Sequence, residues 1–210
     1  MKKTYDFVAV ENFLWTPHIQ TSLEILIRNK AKRKAFIYLN IDNPDNPDIP
    51  NNRFKIFGKK RIEKKLKKIL KKKRIDYIEI SKENIITHSA LNKKFKISKF
   101  SDLSKLKMKG CNIGFGIASS LVDRLKKRDP SLIDCKKNIL DLYIKTTIQV
   151  FLTMEEIFRI YNLKKILTFN GRFAHSSVIK NFCYKKKIDI FFHERSDNKN
   201  RYYLNSRPVH

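Results

Sequence analysis

The chain has 210 residues, with 47 Lys and Arg against 20 Asp and Glu, for a formal net charge of +27. With 41% hydrophobic and 11% aromatic residues, it can bury roughly 70% of the surface its unfolded form exposes, which excludes wholesale disorder and favours one domain. The longest run without Asp, Glu, Lys or Arg, residues 110–122, falls short of the ~18–20 apolar residues of a membrane-spanning helix. Cys111, Cys135 and Cys183 are odd in number and widely spaced, against a disulfide scaffold and in keeping with a reducing compartment. Asp6 and Glu11 interrupt any apolar core of a signal peptide, so the expected location is the cytoplasm. A charge this positive attracts polyanions. The excess is mostly Lys, spread along a chain also rich in Ile and Asn, a composition that an AT-biased coding sequence produces by drift without any selection for binding.

In chain order, Tyr5 to Val10 (YDFVAV) predicts a strand, and 13–17 a loop feeding a helix over 18–29, with Thr16 as N-cap and Pro17 in the first turn. Ala35 to Leu39 (AFIYL) predicts a second strand. Asn40 to Asn52 reads as a loop. Its Asp42, Asn46 and Asp48 do not make an EF-hand, because Pro47 and Arg53 stand where the glycine and glutamate would be needed. The segment KKRIEKKLKKILKKKR, which opens on Lys59 and closes on Arg74, repeats Ile62, Leu66, Ile69 and Leu70 at helical spacing. Such a helix suits three roles: a solvated cover over a sheet, a seat on an anionic membrane surface, or a contact along phosphates. Asp76 to Ile80 (DYIEI) predicts another strand, and the alternation predicts a parallel α/β sheet.

Further on, Gly114-x-Gly116 opens a helix in the manner of half a phosphate-binding turn, although Ser119 occupies the third glycine position. Tight-turn or packing glycines are the alternative. A long helix is predicted from about Leu132 to Asn162. Then Ile166 to Phe169, the Asn170-Gly171 turn, a helix from Ala174 to Lys187 and Asp189 to Phe192 form a βαβ unit. The remainder, 197–210, has no periodicity and reads as a tail or the start of a linker, leaving 1–196 as the domain.

Ligands of open parallel sheets bind where the strands end. Three predicted loops converge there, and each carries candidate chemistry. His18 lies in a first helical turn, where the helix dipole favours a neutral imidazole able to act as a base. Arg172 follows Asn170-Gly171 at a helix start, a place for phosphate or carboxylate. His193 and Glu194 lie in the loop that follows the last predicted strand, where Glu194 could pair with Arg172 or Arg195, or accept hydrogen bonds from sugar hydroxyls. His18, His88, His175, His193 and His210 show no metal-binding spacing, and the P-loop and nucleophile-elbow motifs are absent, so no metal or tightly bound cofactor is expected.

The segment LTFNGRFAHSSVIKNFCYKKKIDIFFHERS (167–196) resembles the strand, Asn-Gly-Arg turn, helix, strand and glutamate pattern in the amino-terminal half of bacterial glycosyltransferases of surface and capsular polysaccharide synthesis. WTPHIQTSLEI (15–25) looks like that family's first loop and helix, and NIGFGIASSLVD (112–123) is similar to its middle segment. The resemblance implies a GT-B architecture of two Rossmann-like domains, with this chain as the acceptor-side half and the donor half missing, as in a truncated product, a fragment or one subunit of a split enzyme. It implies His18 and Glu194 as catalytic residues, His18 first, and Asn170, Gly171, Arg172, His193, Gly114 and Gly116 as substrate-binding residues. A nucleotide sugar would be the donor substrate, held mainly by the other domain or a separate subunit. The acceptor would be a saccharide or lipid-linked saccharide, and the basic helix would give a peripheral seat on the inner membrane face. Two alternatives stand beside it: a nucleic-acid-binding protein using 59–74 with Tyr202 and Tyr203, and a noncatalytic subunit of a split glycosyltransferase.

Overall fold

The computed structural model describes residues 1–14, 16–41, 53–81, 95–135, 137–195 and 202–207. The predicted loop beyond Ile41, together with Trp15, His88 and His210, lies outside the described residues. The first half runs β1 Lys3–Tyr5, β2 Phe7–Glu11, α1 Thr16–Arg28, β3 Lys34–Asn40, α2 Arg53–Lys72, β4 Asp76–Ser81 and α3 Phe100–Leu103. The second half runs β5 Lys107–Met108, β6 Cys111–Asn112, α4 Gly114–Leu125, α5 Lys137–Ile160, β7 Tyr161–Leu163, β8 Lys165–Phe169, α6 Ala174–Lys186, β9 Asp189–Arg195 and β10 Tyr202–Asn205.

The main sheet has the order β10-β9-β8-β2-β3-β4. Its strands β9, β8, β2, β3 and β4 are mutually parallel, and β10 joins β9 antiparallel. Every residue of β2 is buried, as a strand covered on both faces requires. Alternation sorts the side chains between two layers. Phe7, Ala9, Phe36 and Leu167 pack on Leu23 and Leu26 of α1 and Leu66 and Leu70 of α2. Val8, Val10, Ile37, Ile166 and Ile190 pack on Ile117 of α4, Phe151 of α5 and Val178 and Phe182 of α6. Each such side chain contributes about 1.5–3 kcal/mol by leaving water. The fold is therefore mixed α/β, a mostly parallel sheet between helical layers, compatible with a Rossmann-like arrangement. Within α2, Leu66 and Leu70 are buried against the sheet and Ile62 is half-buried, while Ile69 is exposed with Lys64, Lys65, Lys67 and Lys68, so the stripe that covers the sheet is narrower than the predicted one. No helix among the described residues is long and apolar enough to cross a membrane.

Several elements differ from the sequence reading. The first predicted strand is two strands, because Asp6 breaks it: Arg33 donates to its carboxylate through both side chain and backbone, and β1 pairs instead with β7. The long helix stops at Ile160, and Tyr161–Leu163 is strand β7. The segment read as a structureless tail contains β10, whose Tyr203 and Leu204 register with Glu194 and His193. That pairing carries β9 on to Arg195, three residues past the predicted end at Phe192.

Gly114 and Gly116 are packing glycines rather than a phosphate turn. A Cβ on Gly114 would sit 1.6 Å from the Leu103 carbonyl oxygen, and one on Gly116 would sit 2.7 Å from Ser177 Cβ and 2.8 Å from the Phe173 carbonyl oxygen. The first N–H groups of α4 are already taken, since Gly114 N and Phe115 N both donate to Asn112 Oδ1, at 3.1 and 2.9 Å. Gly114→Ala should accordingly lower stability by about 3 kcal/mol, the cost of forcing atoms into a filled core, read as a shift in the urea unfolding midpoint.

Candidate functional site

From β2 the chain adds β3 and β4 on one side, then returns to place β8 and β9 on the other. At such a reversal the loops leaving neighbouring strands part, and a crevice opens at their carboxyl ends. Here the reversal falls between β2 and β8. Parallel register puts Phe169 opposite His193, and the Ala9–Leu167 pairing brings Glu11 to the same level on β2.

Beneath this rim lies a closed polar cluster. Glu11, Ser22 and His193 are 1%, 0% and 0% exposed. The Ser22 hydroxyl donates to Glu11 Oε1 at 2.5 Å and lies 2.7 Å from His193 Nε2, which is itself 2.9 Å from Glu11 Oε1. Nε2 of His193 thus faces both the carboxylate and the hydroxyl oxygen, two groups that accept a hydrogen bond from an imidazole N–H. Nδ1 of His193 is buried with no hydrogen-bond partner. The cluster ties α1 to strands β2 and β9, and Ser22 is four residues after His18, on the same helix face. His18 is thereby set against Phe169, ring centroids 3.8 Å apart, and 6.4 Å from the His193 ring. Phe13 completes the packing edge-on to His18, Phe169 and His175.

Above the cluster, Asn170 and Gly171 turn the chain out of β8 with φ of 53° and 83°. A Cβ on Gly171 would lie 2.4 Å from the Phe192 ring, so glycine is required twice over, by conformation and by space. Asn170 binds both flanks of the turn: its Nδ2 donates to Glu194 Oε2 at 2.7 Å, and its Oδ1 accepts from Arg172 N at 3.2 Å. Burial raises the Glu194 carboxyl above its usual range, opposed in turn by the Arg172 charge, the Asn170 hydrogen bond and the His193 charge. The Arg172 guanidinium lies 4.9 Å from the Phe173 ring centroid, and its Nε is buried without a hydrogen-bond partner.

Of the sequence-predicted residues, Asn170, Gly171, Arg172 and Glu194 meet at one rim with His18 against Phe169 beside them, while Gly114 and Gly116 lie in the α3–α4–α6 packing. His193 does not line the crevice. It lies inside the sheet, because β9 continues past Phe192, and supports the rim from below. Asn170 is likewise 0% exposed and His18 only 7%, leaving Arg172 and Glu194 as the partly exposed polar pair. The start of α6 is partly closed from within, since Ala174 N donates to Ser120 Oγ at 2.9 Å. Sequence reading missed Ser22 and His175. Spacing from His18 is the only signal for the first, and position in the first turn of α6 the only one for the second. Among the described residues no group of three or more His, Cys, Asp or Glu could hold a metal ion.

Ser22→Ala should cost about 1–3 kcal/mol, because it strips a buried carboxylate of a donor, measured by urea unfolding. A pH effect follows from His175, which burial pushes down to about 3 from 6.5. Below pH 6.5 the unfolded chain takes up a proton that the folded chain refuses until about pH 3, so stability falls as pH drops through that window. His175→Leu should flatten this part of the profile of melting temperature against pH. No protein-family model matches the chain, and comparison with curated proteins and with solved structures gives no significant match.

Proposed function

We propose that the carboxyl rim binds the hydroxyls of an acceptor saccharide, as the acceptor-side half of a GT-B glycosyltransferase whose nucleotide-sugar donor is held on another domain or subunit. The observation that carries this reading is the partly exposed pair at the chain reversal: a Glu194 carboxylate oriented by Asn170 and countered by Arg172. A carboxylate and a guanidinium side by side accept from and donate to neighbouring sugar hydroxyls.

In an inverting transfer the acceptor oxygen attacks the anomeric carbon while its proton passes to a base. The bond to the nucleoside diphosphate breaks, and its electron pair stays on the leaving phosphate oxygen. Glu194 is the better-placed base, because its raised pKa brings it nearer neutrality and its side chain reaches solvent. His18, almost enclosed against Phe169, is a positioning group at the inner end of the crevice.

The test is a two-dimensional amide NMR titration of the chain with methyl glycosides of hexoses and N-acetylhexosamines. Shifts should cluster at Asn170, Arg172 and Glu194, and Glu194→Ala should weaken binding about tenfold, the value of one charged hydrogen bond. Shifts elsewhere, or none at millimolar glycoside, would sink the reading.

A further inference from the structure

The opposite pole of the sheet, where the strands begin, has its own chemistry. Each of the five segments leading into a parallel strand is basic: residues 2–3 before β2, 30–34 before β3, 71–74 before β4, 164–165 before β8 and 185–187 before β9. Together they hold fifteen Lys and Arg, against Glu155 in the last turns of α5, which lines a groove here and pairs with Lys109, and three carboxylates beside the segments themselves, Asp6, Asp76 and Asp189. Those three aspartates pair with Arg33 and Lys164, with Lys3, and with Lys165.

Helix C-termini favour cations, and α1, α2, α5 and α6 all end at this pole. Four helix ends supply only about half a negative charge each, however, so the field here remains strongly positive. Arg74 and Lys187 even hold left-handed conformations, φ 54° and 56°, at joints where glycine is the usual residue.

The charge lines concave surface. A groove of about 600 Å³ runs past Lys3, Lys32, Lys34 and Arg74. Two smaller ones, of about 310 and 410 Å³, run past Lys186 and the half-buried Phe158, the second also past Tyr161 and Asn162. Lys2 lines all three, so they form one system. Five strands about 4.8 Å apart make the pole about 20 Å across, room for several nucleotides.

We propose that this pole binds single-stranded nucleic acid, with its phosphates on the lysines of the three connected grooves and bases against Tyr161 and Phe158. Interleaved cations and aromatic faces in a groove match such a strand, whose every base has a face to stack. A membrane surface would instead meet these cations on flat or convex ground. The site is independent of the saccharide reading, because it lies at the other end of the sheet.

Fluorescence anisotropy with a labelled oligothymidylate tests it, comparing two variants of equal charge. Lys2→Gln/Lys32→Gln/Lys186→Gln alters the pole, and Lys64→Gln/Lys65→Gln/Lys68→Gln alters the outer face of α2. All six side chains are exposed, so both variants keep the fold. The pole variant should bind about tenfold or more weakly, with the slope of log K against log salt reduced by about 2, as expected for three lost phosphate contacts. The α2 variant should change by less than about threefold, since it keeps those contacts. Equal losses in the two variants would overturn the proposal in favour of a diffuse polycation. Retention on phosphatidylglycerol vesicles but not on the oligonucleotide would overturn it in favour of a membrane seat.

Discussion

Five strands running the same way impose a polarity on everything else in the molecule. All of them leave the sheet at one pole and enter it at the other, so the chain must spend residues at both ends of every crossover. The carboxyl pole receives Glu11, Asn170 and Glu194, and the amino pole receives the lysine runs. Both arrangements depend on register. Were β9 to slip one residue against β8, His193 would swap faces and lose Glu11, and Glu194 would lose Asn170. The apolar residues forbid that slip, because each face of β8 and β9 already packs on its own helical layer.

The Glu11–Ser22–His193 cluster is a poor source of net stability. Withdrawing a carboxylate and an imidazole from water costs several kcal/mol, and an apolar trio of similar volume would pack at least as well. Its effect is directional. Hydrogen bonds fix distance and angle where hydrophobic contact does not, and this cluster joins one helix to two strands that flank a third. The pose of α1, and with it of His18 one turn earlier, is set by that triangle rather than by the apolar side chains of α1, which tolerate small shifts. Asn170 does the same for the upper layer, holding Glu194 with one end of its amide and the Arg172 backbone with the other.

Much of this was legible in the sequence where local chemistry and periodicity agree. The β8–α6–β9 unit announces itself through Asn170-Gly171 between an apolar strand and an amphipathic helix, and α1, β3 and β4 through unbroken apolar periodicity. What escaped depends on partners distant in sequence. The apolar alternation of β9 ends at Phe192, yet the strand runs on because β10 pairs with it, and this turned His193 from an apparent loop residue into a buried one. The residue Asp6 looks like any polar position in an alternating strand until Arg33 and Lys164 are brought to it. Gly114 and Gly116 look alike in a phosphate turn and in a helix crossing, and only the nearness of Leu103 and Phe173 separates the two.

The distribution of charge also bears on how a chain at +27 folds at all. Exposed ion pairs such as Lys3–Asp76, with 63% and 45% of the two side chains in solvent, offset little of the repulsion. Salt confines that repulsion to about 8–10 Å, so each cation on a pole about 20 Å wide responds mainly to its nearest neighbours. Lysine can bear this because its charge rides on a flexible stem and turns outward. The same field acts selectively on ligands. On the two proposals made above, it would draw a polyanion to the amino pole and leave an uncharged saccharide unsteered, to meet Glu194 and Arg172 by diffusion and shape. One sheet can therefore present two chemistries without competition, because the direction of its strands keeps them a strand's length apart.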